Sequence, residues 1–429
     1  MRALFVSLLC LIGALTTPAA AQTGHGPMDP IAREYVGLIL EIGVLEPGYV
    51  DAYYGPAEWK TEAEAHPRDV AALTAVAADL TARLNAIPDA GLDAANLQRK
   101  RYLLAHVSSA AARLRMISGE KMGFADEAEA LFGVRPELKP LESYDAVLAR
   151  IDTLLPGEGS IGQRLAAQGG TPVVPADRLE AVTRAGIAEC RRRTAEHIDL
   201  PADERFTLEF VKNEPWGAYN CYKGDAVSLI QVNTDQPNGI NQAVTYGCHE
   251  GYPGHHVYNA LLEQTFTDGR GWVEMSVYPL YSPMSLIAEG SAEYGVELAF
   301  PGEERAAFEH AVLYPLAGLQ PTPVESHPEL EAALHDLEGV YYTIADDYLS
   351  GRADREATIQ RMMRYQFHGR ASAEHSLSFI DTYRSYIINY DLGRDIVSDW
   401  VERQGPDHWA AMRTLLSSQM LPADLLAGR

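Results

Sequence analysis

Residues 248–256 read Cys248-His249-Glu250-Gly251-Tyr252-Pro253-Gly254-His255-His256, and a downstream run reads Ala288-Glu289-Gly290-Ser291-Ala292-Glu293-Tyr294. Together they carry the residue types of a hydrolytic zinc site. A catalytic zinc takes three protein ligands, usually imidazole nitrogens and a carboxylate, keeps one position for water, and needs a carboxylate base beside that water. His249, His255 and Glu289 supply such a ligand set, with Glu250 as the base.

The spacing sets a condition on the backbone. In the familiar His-Glu-x-x-His pattern the two His lie four apart on one helical face, but here the fourth residue after His249 is Pro253. An unbroken helix would hold His249 and His255 about 9 Å apart along its axis and on different faces. His256 would share the face of His249 yet lie about 10 Å away. Pro253 has no N–H for the carbonyl of His249, and Gly254 tolerates almost any backbone angle. A bulge at Pro253-Gly254 that absorbs two residues returns His255 to the face of His249.

The second run fits a helix that starts near Ser282-Pro283 and continues through Met284-Ser285-Leu286-Ile287. Glu289 and Glu293, four apart, then share a face. Glu289 would bind the metal while Glu293 holds a ligand imidazole by its other nitrogen. For His256 three roles stay open: a group beside the metal ligands, a group facing substrate, or a structural one.

The order His-Glu-x-x-Pro-Gly-His-His, then Glu-Gly-x-Ala-x-Tyr, resembles the large bacterial family called domain of unknown function 885, grouped with the gluzincin metallopeptidases. The likeness covers most of the chain in order, including Gln231-Val232-Asn233-Thr234 and Tyr390-Asp391-Leu392-Gly393. It implies zinc ligands at His249, His255 and Glu289, a base at Glu250, and a mainly α, two-lobed, zincin-like fold with a small β-sheet beside the zinc-binding helix. It also implies a strand edge at Gln231 to Thr234, with Asn233 among its substrate contacts, and matches Tyr390 to a family Tyr. Ser291 stands where the family commonly carries Trp or another bulky residue.

Met1-Arg2, the apolar run Ala3 to Thr16 and Pro18-Ala19-Ala20-Ala21 read as an export signal over residues 1–21, cleaved before Gln22. The expected mature protein is periplasmic or secreted, with no later segment apolar enough to span a membrane. It keeps Cys190, Cys221 and Cys248. An oxidising compartment allows one disulfide among three, and Cys221 to Cys248 is the expected pair because both flank the site, with three free buried thiols as the alternative. With 35 basic against 59 acidic residues the formal charge is -24, which argues against nucleic acid or an anionic membrane as partner. Oligomeric state stays open.

Periodicity gives helices around Ile31–Ile42, Val70–Leu84, Asn96–Ile117, Ala125–Leu131, Tyr144–Leu155 and Ala176–His197, a helical lobe over 22–200. The catalytic lobe is expected over 201–429, in one structural unit with the first. Phe206–Val211 and Ser228–Asn233 read as strands around a loop bearing Trp216, Tyr219 and Tyr222. Further helices are expected at Phe308–Leu313, stopping near Pro315, and at Leu330–Leu349, Ala357–Tyr365 and Ala373–Tyr390, with Pro321-Thr322-Pro323 as a separator. The loop Pro47 to Pro56, with three Tyr and Asp51, suits either cleft wall or packing. An oxyanion donor is sought among Tyr383, Tyr386, Tyr390 and Arg394, with Tyr390 preferred and Tyr386 as a substrate contact. His368 and His375 suit structural roles.

The expected activity is zinc-dependent hydrolysis of amide bonds in short peptides, with Glu250 taking the proton of the attacking water. Two rivals remain: a non-catalytic exported helical protein that binds peptide or holds a structural zinc, and a zinc amidase acting on cell-wall peptides. A structural zinc would close its fourth position with His256 or Cys248.

Overall fold

Asp69 and Asp93 each accept a backbone N–H from three residues on, at Ala72 and Asn96, and so close the starts of helices Val70–Ala86 and Ala94–Ile117. The computed structural model describes residues 26–167, 172–321 and 328–428. The expected export signal and residues 322–323 of the separator lie outside the described residues.

The other N-terminal helices expected from periodicity are present as Asp29–Leu45, Phe124–Phe132, Asp145–Leu154 and Leu179–Ala195. Ala57–Ala65 and Ile161–Ala167 are helical as well. The first of these buries only Ala63, so it offers no apolar stripe to read.

Among the described residues five strands form two sheets: β1 Val50–Tyr53, β2 Arg205–Val211, β3 Ala218–Gly224, β4 Val227–Asn233 and β5 Val277–Pro279. In the three-stranded sheet the order is β2-β4-β3, with β2 parallel and β3 antiparallel to β4. Thr207 and Cys221 both register on Leu229. β3 occupies the stretch expected to be a Tyr-bearing loop. Asp225 and Ala226 turn it back on β4 with φ of 54° and 52°, the pair of positive φ values that a tight hairpin requires. β1, in the Tyr-rich stretch, pairs with β5.

At the centre runs the helix Pro283–Ala299, buried along almost its whole length. Pro283 sits in its first turn as expected. Gly290 lets it meet the helix Asp391–Arg403 backbone to backbone, since a Cβ there would come within 2.4 Å of the Gly393 carbonyl group. Contacts cross residue 200 freely. Arg99 clamps Glu274 through Nε to Oε1 at 2.6 Å, both side chains buried, and Arg384 binds Glu127 at 2.7 Å.

Three C-terminal expectations change. Pro315 does not stop a helix: it enters the first turn of Tyr314–Ala317, just after a widened turn at Glu309–Leu313, and the stop is Gly318 at φ 68°. The helical path is unbroken from Glu304 to Ala317, and the widened turn just before Pro315 accommodates a ring that has no N–H to give. The run Leu330–Leu349 divides into Pro328–His335 and Val340–Leu349. The run ending at Tyr390 is α-helical only over Arg370–Tyr383, then 3₁₀ over Arg384–Asn389. The result is a mainly α fold with small sheets, the larger one against the turn that carries Glu250, whose carbonyl accepts from Asn220 Nδ2 at 2.6 Å.

Candidate metal centre

The backbone bulges at Pro253-Gly254 as expected, the N–H of Gly254 reaching back six residues to the carbonyl of Cys248 at 2.9 Å, but the widening begins earlier than Pro253. Gly247–Gly251 forms a widened turn, in which the N–H of Tyr252 reaches back five residues to the carbonyl of Gly247 at 3.1 Å. Tyr252–Gly254 then leaves the helix, with a cis Tyr252-Pro253 peptide, and a new helix runs His255–Leu262. At Gly254 a Cβ would sit 1.8 Å from the His249 carbonyl oxygen, so only Gly fits. A disulfide between Cys190 and Cys248 ties this turn to the helix Leu179–Ala195. That corrects the expected Cys221–Cys248 pair. Cys221 is a free, half-buried thiol on β3, in register with Leu229.

His249, His255 and Glu289 converge, with one donor atom from each lying within 4.8 Å of the others. Glu289 Oε2 is 3.2 Å from His249 Nε2 and 3.6 Å from His255 Nε2. Tetrahedral bonds of 2.0–2.1 Å would set donor atoms about 3.3 Å apart, so the triad fits a metal of that size. The rings of His249 and His255 stand edge to face at 4.7 Å and 87°.

Neighbouring groups fix the triad. Glu293, one turn beyond Glu289, places Oε1 3.3 Å from His249 Nδ1. Tyr386 donates its hydroxyl to Glu289 Oε1 at 2.6 Å, which leaves Oε2 for the metal side. Burial would raise the Glu289 carboxyl, but His255 and His249 outweigh it and hold the group well below the usual range. His249 is driven the other way: burial lowers it, and the hydrogen bonds to Glu289 and Glu293 more than restore it. Nδ1 of His255 is buried with no hydrogen-bond partner.

Glu250 lines the same cleft, and no hydrogen bond ties its carboxylate to another described residue. Burial raises its pKa against the opposing pull of His249 and His255. Tyr390 lies over His249 at 6.4 Å and 21° and lines the cleft, its hydroxyl kept protonated by burial and by Glu289. The cleft has a volume of about 730 Å³.

Other candidates lie elsewhere. Arg394 is held by Glu338 at 2.6 Å and Asp395 at 2.9 Å and does not line the cleft. Asn233 gives its amide to the carbonyls of Glu214 and Trp216, both at 2.9 Å, and is likewise outside the cleft wall. β4, its strand, is the central one and is paired on both sides, so Gln231–Thr234 offers no free edge. The edge facing the cleft belongs to β3, through Ala218, Tyr219 and Asn220. His256 is buried away from the triad, with Nδ1 2.8 Å from Ser228 Oγ and Nε2 3.0 Å from Glu204 Oε2. His375 lines the cleft, whereas His368 bonds Ser376 at 3.4 Å. Ser291 is buried and returns its hydroxyl to the carbonyl of Ala288.

Sequence reasoning did not single out Asp51 and Tyr219 as a pair. The Tyr219 hydroxyl donates to Asp51 at 3.1 Å across β3 and β1, and both line the cleft. The Gly-framed, Tyr-rich stretch was the one signal available.

No protein-family model matches the chain, and no curated protein does. Among solved structures it is similar to a candidate lipoprotein from Colwellia psychrerythraea, at 15% identity and a TM-score of 0.51, over 82% of this chain. The chain spans 65% of that protein's length. A candidate lipoprotein of unknown function from Shewanella oneidensis shares 13% identity at a TM-score of 0.41, over 93% of this chain and 82% of its own. An M32 carboxypeptidase from Deinococcus radiodurans shares 11% at 0.49, over 93% of both chains. The first likeness is one of fold. The chain therefore presents a mainly helical fold with a His-His-Glu cluster able to hold a metal ion.

Proposed function

We propose that this chain is a zinc-dependent peptidase that hydrolyses amide bonds of short peptides, of the gluzincin type that the motif order resembles. One observation carries the reading: His249, His255 and Glu289 meet at metal-binding distances in a large cleft that Glu250 also lines, its carboxylate hydrogen-bonded to no other described residue.

Zinc, when bound, supplies Lewis acidity toward a carbonyl and acidifies its water. The chain's own groups do the rest. Glu250 receives a proton and returns it to the leaving amine, a task favoured by a carboxyl that burial raises above its usual range. Glu293 orients His249, and Tyr386 orients Glu289. The Tyr390 hydroxyl is the donor for the oxyanion.

The same geometry weighs against a structural zinc. Such a site needs a fourth protein ligand, yet Cys248 is in a disulfide and His256 is engaged by Ser228 and Glu204. An oxidised Cys190–Cys248 pair supports an exported protein, in keeping with the signal expected at 1–21. No helix among the described residues is long and apolar enough to cross a membrane.

Metal content by elemental mass spectrometry tests the reading. About one zinc per folded chain is expected in the parent, with loss in His249→Ala and in Glu289→Ala. A folded parent that takes up no zinc when supplied would refute it.

A further inference from the structure

The walls of the cleft carry a charge pattern that hydrolysis alone does not need. Among the described residues no Lys or Arg lines it, whereas Glu46, Asp51, Glu250, Glu289 and Glu293 do. Glu46 is neutralised from behind by Arg113. The other four have no Lys or Arg ion-pair partner in the wall. Guanidinium groups nearby are engaged elsewhere, Arg384 by Glu127 and Arg394 by Glu338 and Asp395. A divalent cation at the triad balances Glu289 and Glu293, the two carboxylates held below the usual range, and no Lys or Arg of the wall is left to pair with Asp51 or Glu250.

A peptide's terminal carboxylate finds no Lys or Arg here among the described residues, with His375 the one wall imidazole outside the triad, and burying it unpaired is unfavourable. An ammonium group meets the opposite situation. Asp51 is fixed in β1, and the Tyr219 hydroxyl bonds its Oδ1 at 3.1 Å, while no hydrogen bond reaches Oδ2 from a described residue. Burial raises the Asp51 carboxyl to about 7 against the opposing pull of His255 and the Tyr219 hydrogen bond, with Glu289 and Glu250 near enough to raise it as well. Trp216 and Tyr219, stacked at 5.5 Å, give aromatic faces beside it, and such faces attract a cation. Tyr49, two residues before Asp51, lines the same wall with its hydroxyl buried and without a partner.

We propose that the cleft takes peptides by their amino-terminal end, with Asp51 binding the protonated α-amino group, so that the bond cleaved lies near that end. This rests on the peptidase reading of the metal centre and narrows it to an exopeptidase acting from the amino end. A carboxypeptidase would be served by a Lys or Arg, and none lines these walls among the described residues.

Matched short peptides, with a free amino end, with an acetylated amino end, and with an amidated carboxyl end, test this on the zinc-loaded full chain. Acetylation is expected to lower kcat/KM by about 10- to 100-fold, the worth of a hydrogen bond to a charged group. Amidation should change it little. Asp51→Asn should lower kcat/KM on the free-amine peptide by a similar factor and leave the acetylated one unaffected. Binding of the same peptides to the zinc-loaded Glu250→Gln variant, by calorimetry, gives a second readout that needs no turnover.

Equal use of free and acetylated peptides overturns the inference and leaves the peptidase reading intact. So does loss of cleavage on amidation. Preferred binding of the free amine without cleavage by the parent supports amine capture and sinks the hydrolase reading. Failure to bind any of the peptides overturns both.

Discussion

Glu250 and Glu289 are carboxyls of one cleft, yet their surroundings push them in opposite directions. Glu289 is held ionised by two imidazoles and a Tyr hydroxyl. Glu250 feels the same imidazoles at longer range, and burial prevails. Two groups so separated can take different tasks, one as a fixed ligand and the other as a proton carrier. Glu250→Gln keeps the shape of the side chain and removes its basicity. It is expected to retain zinc while kcat falls by about 10²- to 10⁴-fold. Single-turnover cleavage beside metal analysis checks this, and unchanged kcat would exclude Glu250 as the base. Glu289 and Glu293 were legible as a pair in the sequence, because four residues on an uninterrupted helix always share a face.

The turn from Gly247 to Gly254 is the element on which the centre depends. Pro253 and Gly254 announced a departure from the helix, but not its form. The chain widens before Tyr252, leaves the helix at Tyr252–Gly254 and starts a second helix at His255. What holds the widened part is remote in sequence. Cys190 stands 58 residues before its partner Cys248. Closing a loop of that length stabilises a fold by about 4 kcal/mol in the chain-entropy model. Cys190→Ser is expected to lower unfolding free energy by about 2–5 kcal/mol, and Cys221→Ser by under about 0.5 kcal/mol. Denaturant titration in oxidising buffer measures both, and reduction of the parent should reproduce the first. Equal effects from the two variants would refute the pairing. Spacing could not reveal the partner, because a disulfide depends on Cβ atoms brought together by folding.

At the scale of the whole molecule, segments far apart in sequence hold one another. Arg99, from an N-terminal helix, is 2% exposed and binds Glu274, which is fully buried at 0%, just before β5. It also lies over the ring of Trp272 at 4.7 Å. Arg99→Ala leaves Glu274 buried without its partner, at an expected cost of about 3–5 kcal/mol. Arg99→Lys should recover only part of this, since the ammonium lacks the fork that meets both carboxylate oxygens. Urea unfolding of the two variants measures the difference, and a near-neutral Arg99→Ala would show the pair to be dispensable.

Local pattern by itself determined most of the N-terminal helices, the two strands β2 and β4, the helix start at Pro283 and the identity of the residues that form the triad. These depend on periodicity, caps and residue chemistry, all of which act within a few turns of chain. Tertiary structure alone decided the rest. β3 runs through Gly, Asn and Lys, residues that strands disfavour, and forms because β4 supplies its hydrogen bonds. The helix expected to reach Tyr390 breaks at Arg384, whose φ is 54°. Glu127, more than two hundred residues earlier, binds the guanidinium of Arg384 and both the N–H and hydroxyl of Ser385. That break turns Tyr386 onto Glu289. Asn233 and Arg394 carried suitable chemistry, but partners across the fold engage them away from the cleft. Which polar group is left free to act depends on who else reaches it, and only the packed chain sets that.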